Sequence, residues 1–322
     1  MAESIWIAKQ VNLGTADSYF FRVRLDSTSG AIIYYGKAYK QPGASSVIVK
    51  VNDICADYLT HDFYNGTGFH AENWARTFVV QSSTTGSSWT TKSTFTLCAC
   101  YDWQRQTGSV TRVNVTPIRR LPTWARIPVS TTIAETVSIY RHTKEDGGGT
   151  SSTVSQTSTG AGTCWFTVGT STTKSIAAIS NAAPWINIDN CIDAVLYYVN
   201  EYGGWSVLPL EGATVEGDDI QRTTFLPDYN AGDFPYVGEK TVVNAITHRY
   251  TMHTAPLTAR EASWMPGVMR TPLAYIHIYT AADMDQVVIT DTSIDYVSRG
   301  CGSERMPVYT FTARSGQRMF SK

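Results

Sequence analysis

The chain has 322 residues and a formal net charge of −1, with 16% charged residues. This charged fraction lies below the roughly 25% typical of soluble domains, and serine and threonine together outnumber the charged residues. Without a net positive charge, the chain lacks the broad electrostatic footprint of a protein that binds nucleic acid or an anionic membrane, so neither partner is expected.

The amino-terminal stretch MAESIWIAKQVNLG has an acidic third residue and no apolar run long enough for a secretory signal. Apolar runs elsewhere are strand-sized, well below the roughly 20 residues of a membrane-spanning helix. The six cysteines include no CxxC pair, which favours free, mostly buried thiols over a zinc site or disulfides. We therefore expect a soluble protein that is made in a reducing cytoplasm.

Apolar and polar residues alternate with period two along the whole chain, in segments rich in Val, Ile, Thr and Tyr. The predicted strands fall at 31–39, 46–51, 94–103, 136–142, 163–169, 194–200, 275–280, 285–291 and 307–314. This pattern predicts an all-β, or β-dominated, fold made of sandwich-like or barrel-like modules.

Two short helices interrupt the predicted strands. In VNDICADYL (51–59), Asn52 or Asp53 is a suitable N-cap, and apolar residues follow at i,i+4 spacing. In TAREASWMPG, Thr258 and Glu261 have capping-box spacing. Pro266 and Gly267 are expected to end this second helix.

Two Gly/Ser/Thr-rich segments, 81–93 and 144–162, are predicted to be long loops at hairpin tips. Such loops are mobile in an isolated subunit, or become ordered against neighbours in an assembly. Weak boundaries near 107–108 and 254–256 suggest three segments. These are an N-terminal β-module (1–107), a central β-module with the longer loop (108–255) and a C-terminal helix-plus-strands segment (256–322).

The common catalytic motifs are absent: the sequence contains no G-x-S-x-G, H-E-x-x-H, P-loop or G-x-G-x-x-G. His61, Asp62 and His70 could ligate a metal if a turn brings them together, although polar residues flanking a hairpin are the favoured interpretation. Solvated turns or strand ends are likewise favoured over a calcium site in VEGDD (215–219) and over paired catalytic carboxylates among the aspartates of 283–295. We therefore expect no enzyme activity, catalytic residue, metal or cofactor.

Aromatic residues make up 12% of the chain, and the tryptophans are dispersed along it. Most are expected to anchor the core or an interface. Trp89 lies inside the first Ser/Thr loop and is the best candidate for an exposed contact. The stretch YYVNEYGGWSVLPLEG (197–212) predicts a hairpin in which Gly203 and Gly204 form the turn and Trp205 begins the second strand. Trp205 is expected to anchor a sheet or a subunit contact rather than to bind a sugar.

Three stretches carry a resemblance to a known group of proteins. They are IIYYGKAYKQPGASSVIVKVNDICADYL (32–59), NCIDAVLYYVNEYGGWSVLPLEG (190–212), and the segment from LTAREASWMPGVMRTP to VVITDTSIDYVSRG (257–300). In this order they resemble virion structural proteins of tailed phages that infect Bacteroidetes, including crAss-like phages. These proteins belong to the tail or to the neck-to-tail region.

The resemblance implies a non-enzymatic protein that forms a homo-oligomeric ring in a phage tail, baseplate or head-to-tail connection. Its partners would be copies of itself and other tail or neck proteins, and it would reside in the virion after assembly in the host bacterial cytoplasm. Two alternatives remain open. One is a carbohydrate-binding or adhesin β-sandwich, and the other is a polysaccharide depolymerase.

Overall fold

The computed structural model describes residues 3–5, 9–100, 112–113, 119–178, 185–211, 215–225, 240–279, 284–298, 305–315 and 319–320. Strands account for 56% of the structure and helices for 7%, which confirms the predicted β-dominated fold. The chain divides into two compact units. Unit 1 comprises residues 1–188 and 198–207, and unit 2 comprises residues 189–197 and 208–322.

The first half of unit 1 contains eight strands and one short helix. The strands are β1 (Glu3–Ser4), β2 (Gln10–Gly14), β3 (Ser18–Leu25), β4 (Ile32–Tyr39), β5 (Val47–Lys50), β6 (Gly68–Ala71), β7 (Ala75–Ser83) and β8 (Thr90–Cys98), and the helix is α1 (Asn52–Ala56). Five of these strands form a sheet in the order β1-β8-β7-β3-β4, and β2 pairs with β5.

A single apolar core lies between these two sheets and α1. Period-two alternation directs Phe21 and Val23 of β3 into this core, where they join Phe78 and Val80 of β7. Cys55 is the buried residue of α1. The helix lies within the predicted segment 51–59, but neither Asn52 nor Asp53 is its N-cap. The N-cap is Val51, without a side-chain capping bond, and the side-chain oxygen of Asn52 accepts from the backbone N–H of Lys9 instead.

The second half of unit 1 contains two further sheets. Their strands are β9 (Arg112–Val113), β10 (Arg120–Leu121), β11 (Arg126–Thr131), β12 (Thr136–His142), β13 (Ser151–Thr157), β14 (Gly162–Thr167), β15 (Ser175–Ala178) and β16 (Ile186–Ile188), with a 3-10 turn at Glu145–Gly147. The sheet orders are β6-β14-β11-β9 and β10-β16-β15-β12-β13.

Pairing between β6 and β14 joins the two halves of unit 1. Gly68–Ala71 runs antiparallel to Gly162–Trp165, so strands of the first and second predicted segments share a sheet. This explains why residues 1–188 belong to one unit. The predicted boundary at 107–108 lies outside the described residues.

Strands extend into both predicted Gly/Ser/Thr loops. The turn between β7 and β8 is confined to residues 84–89, and β13 lies inside the predicted 144–162 loop. The prediction of long loops is wrong here because hydroxyl side chains are well suited to a sheet surface, where they hydrogen-bond across strands. Ser138 and Ser155, for example, face each other with their hydroxyl oxygens 2.8 Å apart.

Unit 2 is built around long antiparallel strands. The remaining strands of the chain are β17 (Ala194–Val199), β18 (Trp205–Leu210), β19 (Val215–Phe225), β20 (Lys240–His253), β21 (Ala274–Ile278), β22 (Met284–Ser298), β23 (Arg305–Ser315) and β24 (Met319–Phe320). They form an eight-stranded sheet in the order β18-β17-β21-β22-β23-β20-β19, in which β24 pairs with β20. The chain passes from unit 2 to unit 1 and back within the β17–β18 hairpin.

Two short helices precede β21. Helix α2 (Ala259–Ala262) starts with the predicted capping box, in which the Thr258 hydroxyl accepts from the backbone N–H of Glu261 and the Glu261 carboxylate accepts from the backbone N–H of Thr258. Pro266 does not end the helical segment as predicted. It lies in the first turn of a further helix, α3 (Met265–Met269), where the missing N–H of proline costs no hydrogen bond.

Candidate functional site

The β17–β18 hairpin turns at the predicted glycines, inside unit 1. Gly203 has a φ of 85°, and a Cβ placed there would lie 2.6 Å from the carbonyl oxygen of Ala99. The side-chain oxygen of Asn200 accepts from the backbone N–H groups of Tyr202 (2.9 Å) and Gly204 (3.3 Å). Position 203 therefore requires glycine both for its left-handed backbone and for its close approach to residue 99.

Trp205 is buried, with 1% of its surface exposed. Its indole N–H donates to the Glu72 carboxylate (3.0 Å), and its backbone N–H donates to the Ser130 hydroxyl (3.0 Å). Phe63 and Trp165 pack against the indole, with ring centroids 5.2 Å and 5.9 Å away. Trp205 thus connects three separate parts of unit 1, and its ring is not available to an external ligand.

Burial also shifts the pKa values of two side chains beside Trp205, Glu72 and His61. Desolvation raises the pKa of Glu72 to about 7, against hydrogen bonds from Thr163 and Trp205 that lower it. Desolvation lowers the pKa of His61, whose ring lies 6.2 Å from that of Trp205, to about 4. Glu72 and His61 are an acid and a base on either side of Trp205, but they lie in the interior and hold the β17–β18 hairpin in place.

Trp89 has a different environment at the turn between β7 and β8. The guanidinium of Arg22 lies 4.3 Å from the centre of its ring, and the ring of Tyr35 meets it edge-on at 5.7 Å. Tyr35 is 54% exposed. Trp89 itself is half-buried within this surface group of aromatic and basic residues, and its predicted role as an exposed contact stays a prediction.

The β22–β23 hairpin of unit 2 exposes a long strand edge. On one side of β22, strand β21 covers only residues 284–287. No other strand in the described part of the chain pairs with residues 288–298 on that side. We call residues 288–298 the β22 edge. It is about 35 Å long at 3.4 Å per residue, and it exposes Val288, Ile294, Tyr296 and Val297.

The opposite end of the sheet has a second open edge. β19 is the last strand in the sheet order, pairs only with β20 among the described strands, and exposes Ile220. The register pairs His253 with Thr310 and Arg249 with Arg314, so the β19–β20 and β22–β23 hairpins turn at opposite ends of the sheet. Unit 2 therefore has two different open strand edges, one on the β19–β20 hairpin and one on the β22–β23 hairpin, and these hairpins extend in opposite directions.

The predicted ligand-like residues form no metal site in the described part of the chain, which contains no suitable group of three His, Cys, Asp or Glu side chains. His70 lies 3.8 Å from the Asp62 carboxylate. Asp218 pairs with His248, and Asp285 accepts from the Tyr250 hydroxyl. Each of these three carboxylates therefore contacts a histidine or tyrosine side chain of the same chain. The side chains of Glu216 and Asp283 lie outside the described residues.

Sequence reasoning did not identify Glu72, Ser130 or Arg22. Glu72 is 133 positions from Trp205, and Ser130 is 75 positions from it. Arg22 does lie on a predictable strand face, where alternation places it beside Phe20 and Arg24. A basic residue that shares a face with aromatic residues is a signal that could have identified it.

Comparison with protein-family models, with curated proteins and with solved structures found no match. Among the described residues, none of the helices has both the length and the apolar character needed to cross a membrane.

Proposed function

We propose that this chain is a non-enzymatic structural subunit that assembles with copies of itself into a ring in the tail, baseplate or head-to-tail connection of a tailed phage. The observation that carries the proposal is the pair of open strand edges on unit 2, β19 and the β22 edge. The resemblance of the segments 32–59, 190–212 and 257–300 to phage virion proteins supports the location in the particle.

An open strand edge presents unpaired backbone N–H and C=O groups and is a template for another strand. The β22 edge also exposes Ile294, at 43%, and Tyr296, at 64%. A free monomer gains nothing from exposing such side chains on an unpaired strand, and it risks aggregation. Coverage by another chain would satisfy the backbone groups and bury the apolar surface.

A second copy of this chain is the occupant that best fits the two edges. They are different surfaces of the same sheet, so pairing β19 of one copy with the β22 edge of the next is a heterologous contact. Heterologous contacts generate a ring when the rotation between copies closes. Ile220 on β19 and Ile294 on the β22 edge supply apolar side chains on both sides of such a contact.

Chemical cross-linking in assembled particles tests this arrangement. We expect a bis-maleimide to join Ile220→Cys of one copy to Ile294→Cys of the next in the double variant, which gives a ladder of multimers on denaturing gels. Cys191 is exposed in the natural chain, so each single variant serves as a control for links through that thiol. A double variant whose bands match those of the single variants would contradict the contact.

A matched pair of substitutions tests the role of the edge in assembly. Ile294→Lys places a charge on the β22 edge, whereas Ile133→Lys makes the same change at an exposed position of unit 1. We expect particles to incorporate the Ile133→Lys subunit and to exclude the Ile294→Lys subunit, as measured by mass spectrometry of purified virions. Absence of the natural chain from purified virions would overturn the proposed function as a whole.

A further inference from the structure

The outer face of the β3–β4 pair in unit 1 combines exposed aromatic rings with basic side chains. Alternation along β3 places Phe20, Arg22 and Arg24 on the face away from the core, because Phe21 and Val23 point inward. The register places Tyr35 opposite Arg22 and Lys37 opposite Phe20. We call the surface formed by Phe20, Arg22, Arg24, Tyr35, Lys37, Tyr39 and Trp89 the aromatic–basic face.

Three rings of this face contact one another in sequence, Phe20, Tyr35 and Trp89. Phe20 and Tyr35 are stacked, with centroids 6.2 Å apart and 27° between their planes, and Tyr35 meets Trp89 edge-on. Tyr35 and Tyr39 are 54% and 65% exposed. Large, rigid rings of this kind offer apolar contact area and, in tyrosine, a hydroxyl for hydrogen bonding.

Basic groups lie against the same rings. Besides the contact of Arg22 with Trp89, the ammonium of Lys37 lies 5.2 Å from the centre of the Phe20 ring and 5.0 Å from that of Tyr39. Neither Arg22 nor Lys37 forms an ion pair with a carboxylate in the described part of the chain. These two positive charges therefore remain available to an external anion.

Gln81 holds the arginines in place from beneath. This residue is buried, and its side-chain oxygen accepts from Nε of Arg22 (2.7 Å) and from Nε of Arg24 (3.2 Å). Its amide donates to the Thr91 hydroxyl (3.3 Å), which orients it. Burial lowers the pKa of the Arg22 guanidinium, and the charge of Arg24 adds to this effect. Two like charges fixed side by side are stabilised by a bound anion.

We propose that the aromatic–basic face binds an acidic polysaccharide, with Tyr35 and Tyr39 against the sugar rings and Arg22 and Lys37 paired with sugar carboxylates. Planar guanidinium groups bind carboxylates in two-point contacts. Single-stranded nucleic acid fits less well, because proteins hold it largely by stacking its bases on open aromatic faces. The guanidinium of Arg22 also occupies one face of Trp89, where a base would stack.

Calorimetry with the full-length protein tests the proposal with three probes: an oligogalacturonate, a neutral glucan of equal length and an oligodeoxythymidine. We expect binding to the oligogalacturonate that weakens with added salt, and at least tenfold weaker binding of the neutral glucan and the oligodeoxythymidine. Arg22→Gln and Tyr35→Ala should each weaken oligogalacturonate binding at least tenfold. Lys50→Gln removes an exposed positive charge from β5, outside this face, and should leave the affinity unchanged.

Equal binding of the neutral glucan, preference for the oligodeoxythymidine, or lack of binding to all three probes would each overturn the proposal. Unchanged affinity in both Arg22→Gln and Tyr35→Ala would also do so. Thermal unfolding of each variant shows whether it is folded, and both substituted residues lie on the surface rather than in the core. Incorporation into particles is measured separately, so failure of glycan binding leaves the proposed assembly role intact.

Discussion

Trp205 and Trp89 lie in the same unit and are both surrounded by aromatic and charged side chains, yet their environments are opposite. Trp205 is buried and donates its indole N–H to a carboxylate, whereas Trp89 is partly exposed and has a guanidinium against its ring. A buried indole with a satisfied N–H stabilises the fold. An exposed aromatic group whose cations form no ion pair among the described residues stabilises little by itself and is available to a partner.

Residues around Trp205 therefore stabilise unit 1, whereas residues around Trp89 are available to bind a ligand. Substitutions around Trp205 should change the free energy of unfolding, and those around Trp89 should change binding while leaving stability nearly constant. Four predictions test this separation.

Trp205→Ala should have the largest effect. It leaves a large cavity beside Phe63 and Trp165 and removes the donor to the buried Glu72. Aromatic-to-alanine changes in cores typically cost about 3 to 5 kcal/mol, so we expect a loss of about 4 kcal/mol in the free energy of unfolding, measured by chemical denaturation. A well-folded Trp205→Ala protein that loses only glycan binding would reverse the assignment.

Gly203→Ala should be the next most harmful change. The new Cβ meets the carbonyl of Ala99 at 2.6 Å, and a φ of 85° is unfavourable for alanine. We expect a loss of about 2 kcal/mol, measured by thermal unfolding. Gly160→Ala is the matched control, since a Cβ at Gly160 meets nothing within 4 Å, and it should change stability by less than about 0.5 kcal/mol. Equal effects of the two changes would show that the turn tolerates a side chain.

Glu72 should make the stability of unit 1 depend on pH. Its folded-state pKa of about 7 is above the ordinary value of 4.5, so its contribution to stability is fully present below pH 4.5 and is lost as pH rises through 7. We therefore expect Glu72→Gln to stabilise the protein by roughly 2 kcal/mol more at pH 8 than at pH 5. Denaturation at both pH values measures this difference, and a pH-independent effect would contradict the raised pKa.

His61 works in the opposite direction within the same cluster. Its folded-state pKa of about 4 is below the ordinary value of 6.5, so its contribution is present above pH 6.5 and is lost as pH falls through 4. Between pH 4.5 and 6.5 the two residues therefore offset each other. Comparison of the natural protein with Glu72→Gln at each pH isolates the contribution of Glu72, because His61 is present in both proteins.

Trp89→Ala should have the smallest effect on stability. The ring lies at a turn and contacts Arg22 and Tyr35 at the surface, so we expect a loss below about 1 kcal/mol. Differential scanning calorimetry measures this change next to that of Trp205→Ala. A loss as large as that of Trp205→Ala would show that the aromatic–basic face is part of the core energetics.

Local sequence signals predicted several elements correctly. Alternation indicated the strands, spacing indicated the Thr258–Glu261 capping box, and the paired glycines located the β17–β18 turn. These features depend on residues close together in the chain. The Gly/Ser/Thr segments misled because low apolar content favours loops on average, whereas their hydroxyl-rich residues pair across the β7–β8 and β12–β13 hairpins. β7 also pairs with the distant strand β3.

The sequence by itself determined the β-dominated class, the absence of common catalytic motifs and the position of the Gly203 turn, because alternation, motif spacing and backbone preference are local properties. Only the tertiary structure decided that Trp205 is an internal anchor, that Trp89 joins an exposed basic face, and that the β22 edge is open. Burial and strand pairing depend on residues such as Glu72, Gln81 and those of β21, which are distant in sequence. No local pattern specifies these contacts, because they arise only when the sheets pack.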